Sequence, residues 1–79
     1  MRVVGMLAQD KQWLKRVAMP LFGVKALGIE SSPSTAKWPD IWVEPGELPV
    51  ITVTREWARQ STQERRKRLV HEFLHLSGF

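Results

Sequence analysis

The sequence predicts a small α+β protein, in which a small twisted sheet or hairpin packs with an N-terminal helix and a C-terminal helix. Three observations carry this prediction. Apolar residues near the N-terminus recur at helical spacing, two runs in the middle are rich in β-branched residues, and the last segment opens on a helix-capping pattern. At 79 residues the chain has the length of one domain, and a domain this size hides only about 60% of its unfolded surface.

The first helix is expected from about Gln9 to Ala18, where Trp13, Leu14 and Val17 share a face and Asp10 serves as a cap or first-turn acid. Pro20 should end or kink it, because proline has no N–H and its ring clashes with the preceding turn. A second helical piece from Phe22 to Leu27 would then stop at Gly28. Ser31–Thr35 reads as a loop by composition.

Two strands follow, within Trp38–Glu44 and Leu48–Arg55. Between them, Glu44-Pro45-Gly46-Glu47 places Pro and Gly at the central positions of a type II turn. In the second run Ile51 and Val53 alternate with Val50, Thr52 and Thr54, and Pro49 belongs at its start. The expected product is a hairpin.

The last helix has the clearest signature. Ser61-Thr62-Gln63-Glu64 is a capping box, good helix formers run on to Leu76 or Ser77, and Gly78 sits where a helix stop belongs.

Composition excludes several classes. The chain is 43% apolar and 25% charged, which is too hydrophobic for a disordered protein. No apolar run reaches the roughly 18 residues of a membrane span. Without cysteine there is neither a disulfide framework nor a cysteine-ligated zinc site. The N-terminal apolar stretch from Val3 to Ala8 is short for a secretory signal, so a cytoplasmic protein is expected.

Inside the last helix lies His71-Glu72-Phe73-Leu74-His75, which contains both histidines of the chain. Residues four apart on a helix sit about 40° from each other, one turn apart, so both imidazoles can reach one ion. Glu72 projects about 100° from His71, where a carboxylate can take a proton from a metal-activated water. The chance of this arrangement at random is on the order of two per thousand, before a helix is required. Leu69, Phe73 and Leu76 lie on the opposite side of the wheel, which leaves the histidines off the buried face.

This segment, followed by Gly78, resembles the active-site helix of the zincin metallopeptidases, with their H-E-x-x-H motif and its longer form ending in glycine. The small size resembles the minimal members, the minigluzincins. The resemblance spans roughly Val50 to Phe79. It implies a small α+β catalytic core with a twisted sheet beside two helices, His71 and His75 as Zn²⁺ ligands, and Glu72 as general base. It further implies that the strand Ile51-Thr52-Val53-Thr54 acts as an edge strand that aligns a peptide or protein substrate by β-augmentation. Zincins draw a third ligand from beyond the motif, and this chain ends at Phe79, short of that position. The expectation is therefore a single zincin-like domain over 1–79 that lacks its C-terminal part. Glu64 lies about 10 Å along the helix from His71, too far to share its ion, and none of Asp40, Glu44, Glu47 or Glu56 is singled out.

Other functions are weighed against this one. A metal-dependent ribonuclease family of bacterial ribosomal RNA processing carries a similar motif, which His71, Leu74, His75 and Gly78 fit; Glu72 is the misfit there. The net charge of +4 and the run Arg65-Arg66-Lys67-Arg68 would suit a basic nucleic-acid-binding domain. On the wheel those four residues surround the helix, so solvated charges, with a Glu64–Arg68 pair, are the better account. A catalytically incomplete zinc-binding module is the remaining alternative. The four tryptophans, Trp13, Trp38, Trp42 and Trp57, are expected to supplement a small core.

Overall fold

The N-terminal helix outlasts its proline. In a computed structural model describing residues 6–35, 37 and 40–77, it runs as α1 (Ala8–Trp13), a π-helical stretch (Leu14–Ala18) and α2 (Met19–Phe22). Pro20 cannot donate to the preceding turn, and the wider π stretch just before it shifts the ladder, with Met19 N–H reaching back to Leu14 C=O. The helix stops at Gly23, not at Ala18 or Gly28. Gly23 has φ of 68°, and Gly23 N–H and Val24 N–H close onto the carbonyls of Pro20 and Met19, a Schellman motif. Glycine takes that left-handed conformation without the Cβ penalty. Phe22–Leu27 is thus no second helical piece.

Gly28 instead opens a strand. The sheet has three strands, β1 (Gly28–Ser31), β2 (Ile41–Glu44) and β3 (Val50–Val53), in the order β1-β3-β2. β1 runs parallel to β3 and β2 antiparallel to it, with Ile29 opposite Ile51 and Trp42 opposite Thr52. The hairpin of β2 and β3 is present. Its connection is not a type II turn, because Gly46 lacks the positive φ that such a turn needs.

Thr54 then caps a short helix, α3 (Arg55–Ala58), and Ser61 caps the long one, α4 (Thr62–Leu76), by accepting from Glu64 N–H at 3.2 Å. The stop expected at Gly78 and the strand start at Trp38 lie outside the described residues. The result is a small α+β fold, a mixed three-stranded sheet packed with helices. Among the described residues, no helix is long and apolar enough to cross a membrane.

Leu14 from the N-terminal helix, Ile51 and Val53 from β3, Trp57 from α3, and Leu69 and Phe73 from α4 meet in one core. Phe22 stacks on Phe73 with ring centroids 5.5 Å apart. This burial fixes the rotation of α4: with Leu69 and Phe73 inward, His71 and His75 fall on the far side of the wheel and are exposed.

Candidate metal centre

His71 and His75 meet on the exposed side of α4. Their Nε2 atoms are 3.0 Å apart and the rings stand nearly perpendicular, at 86°. Two nitrogens on one tetrahedral zinc, each at 2.0–2.1 Å, are separated by roughly 3.3 Å, so a small rotation of either ring would bring both onto a common ion.

Glu72 lies on the flank of this pair, half-buried. Burial raises its carboxyl above the ordinary glutamate range, against the opposing pull of His75 and His71; nearby Asp40 adds to the rise and Arg68 opposes it. A carboxylate that holds a proton more readily than usual is suited to general acid–base work.

The three residues line one cavity of about 420 Å³, together with Trp42 and Val43 of β2, Pro45, and Leu76 at the end of α4. A second hollow of about 380 Å³ on the other flank of His71 is lined by Glu64, Lys67 and Arg68 among others, and is more charged. Only the first brings the histidines, the glutamate and the sheet edge together.

The strand expected to align a substrate is not at that edge. β3 is the middle strand, with β1 on one side and β2 on the other, so Ile51, Thr52, Val53 and Thr54 have no free ladder to offer. All four are buried. Thr54 also accepts from Trp57 N–H at 3.4 Å and donates its hydroxyl to Asp40 C=O at 2.6 Å, a structural role. The residues that border the cavity, Trp42, Val43 and Pro45, come from β2 and the loop after it. Nothing in their types marks them, since their place depends on which strand ends up outermost.

Among the described residues no group of three His, Asp or Glu is positioned to hold one ion. Asp40, whose charge acts on Glu72, pairs with Arg68 at 3.1 Å and accepts from Ile41 N–H at 2.8 Å. Arg68 thus turns to Asp40 and not to Glu64. The two imidazoles fit zinc in donor type, exposure and convergence, and the coordination they offer is that of two ligands.

The basic run is only partly solvated. Arg65 is buried, donating Nε–H to Asp10 Oδ2 at 2.9 Å and further N–H groups to Gln60 C=O and Thr62 Oγ1. Arg66 stacks over Trp13 with its guanidinium 5.3 Å from the ring centroid. These two arginines are structural, which leaves Lys67 and Arg68 as the exposed charges of the run. Of the described tryptophans, Trp57 is core, Trp13 packs against the core, and Trp42 borders the cavity.

Compared with known protein families, with curated proteins and with solved structures, the chain matches none.

Proposed function

We propose that this chain is a zinc-dependent peptidase of the minimal zincin type, with His71 and His75 as metal ligands and Glu72 as general base. The observation that carries the reading is the 3.0 Å approach of the two Nε2 atoms, with the carboxylate between them in sequence lining the same cavity. A zinc ion held by His71 and His75 would supply Lewis acidity at such a site. The chain's own groups supply the rest. The imidazoles present two lone pairs on one helical turn. Glu72 takes the proton of the attacking water and returns it to the leaving amine, a cycle its half-buried position favours. The outer edge of β2 takes the substrate-aligning role, since β3 is paired on both sides.

A second reading has its own support. Two ligands among the described residues suit a zinc-binding module with no turnover as well as they suit an enzyme. One experiment separates them. Zinc-incubated protein is tested on unstructured peptides beside its Glu72→Gln variant. Hydrolysis lost in Glu72→Gln, with zinc still bound, supports the peptidase. Zinc bound with no hydrolysis supports the module. No zinc bound in either protein sinks both.

A further inference from the structure

Ladder parity shows which backbone groups of β2 face outward. Gly28 N–H and Ser32 N–H donate to the carbonyls of Pro49 and Val53, so the odd-numbered residues of β3 turn toward β1. Thr54 N–H donates to Asp40 C=O at 2.9 Å, so the even-numbered ones turn toward β2 and pair with Asp40, Trp42 and Glu44. The outward positions of β2 and its continuation are therefore Ile41, Val43 and Pro45. Each is already limited except one. Ile41 N–H is occupied by Asp40 Oδ1 at 2.8 Å, and Pro45 has no N–H. Val43 keeps its N–H for an incoming chain, and Val43 lines the cavity that holds His71, Glu72 and His75.

We infer that an extended peptide is held on this edge through one backbone donor, the Val43 N–H, and that Asp40 keeps it so by occupying the N–H of Ile41. The inference rests on the peptidase reading and names its substrate class. The site takes a short extended stretch of peptide, with an apolar side chain to fill the cavity between Val43, Pro45 and Leu76. Two residues along in either direction the edge offers a longer strand carbonyl acceptors, at Ile41 and Pro45, but no second donor. The same two devices protect an otherwise open edge from pairing with other chains.

The test is a steady-state comparison on quenched-fluorescence peptides of two lengths, one ending opposite Val43 and one reaching past Ile41. Asp40→Ala frees the Ile41 N–H, and KM for the longer peptide relative to the shorter should fall about fivefold, the scale of one added hydrogen bond. Taking the ratio of the two peptides within each protein cancels the effect of losing the Asp40 charge beside Glu72. Asp40→Asn keeps an Oδ1 acceptor while removing the charge that pairs with Arg68, and should keep the unsubstituted ratio of the two KM values. Equal behaviour of Asp40→Ala and Asp40→Asn, or no change in either, overturns the inference. Amide hydrogen exchange on the unsubstituted protein judges the edge without catalysis: Val43 should exchange at least about tenfold faster than Ile41. Equal rates overturn the inference even where peptides are cleaved. Failure to cleave any peptide overturns the peptidase reading, and the substrate assignment with it.

Discussion

Arg65 and Asp10, far apart in sequence, form a buried ion pair with Nε and Oδ2 at 2.9 Å. Asp10 belongs to the first turn of α1 and Arg65 to the first turns of α4, so the pair ties the N-terminal helix to the helix that carries the histidines. Removing Asp10 leaves the Arg65 charge buried without its carboxylate and takes away a second contact as well, that of Arg66 Nε at 3.7 Å from Asp10 Oδ1. Asp10→Ala should therefore cost about 3–5 kcal/mol, read as a lower urea midpoint, whereas replacing both residues by apolar ones of similar volume should cost much less. A loss under 1 kcal/mol for Asp10→Ala would show that water reaches Arg65.

Thr54 offers a clean separation of structure from substrate binding. Its hydroxyl donates to Asp40 C=O and accepts from Trp57 N–H, both within the fold. Thr54→Val keeps the shape and deletes both bonds, and should destabilise by about 1–2 kcal/mol in urea unfolding. KM for peptide hydrolysis should stay within twofold. A large rise in KM with stability intact would return β3 to the substrate.

The parts legible in the sequence are those whose causes are local. Ser61 and the spacing of Leu69, Phe73 and Leu76 mark both the start and the buried face of α4. The approach of His71 to His75 follows from helical geometry alone, once that helix exists. What escaped detection depends on contacts across the chain. Gly28-Ile29-Glu30-Ser31 has a single β-branched residue, and it becomes a strand because β3 offers it a parallel ladder. Without β1, Ile51–Thr54 would be an edge; with it that edge passes to β1, and the cavity lies at the sheet's other edge, bordered by Val43 of β2. Pro20 is misleading for a related reason. A proline in a helix forbids one hydrogen bond, and the π stretch ahead of it reroutes the ladder at that point.

Glu72 couples stability to pH in the metal-free protein. Its pKa is raised in the folded state by burial, so the native chain holds this proton to a higher pH than the unfolded chain does. The resulting stabilisation is fully present below the unfolded value near 4.5 and is lost as pH rises through the folded value. Glu72→Gln, which stays neutral, should not show that loss. Urea midpoints measured after chelation should favour Glu72→Gln over the unsubstituted protein at pH 7, and the two should converge at pH 4. A variant less stable at pH 7 would mean that the ionised carboxylate is held by partners in the fold.

Metal loading makes the sharpest demand on the histidine pair. A ligand that binds only the folded state stabilises it by about 2.7 kcal/mol at a hundred times its Kd. For a domain of this length, each kcal/mol moves Tm by about 4–8 °C, so saturating zinc should raise Tm by roughly 10 °C or more and a chelator should reverse it. The paired geometry requires both rings: either His71→Ala or His75→Ala should abolish most of the rise, because one exposed imidazole binds zinc weakly. The two variants should each change the metal-free Tm little, since both side chains are exposed and their mutual contact is replaced by water. If zinc raises Tm equally in all three proteins, the ion binds elsewhere on the chain, and the centre at His71 and His75 is not the metal site.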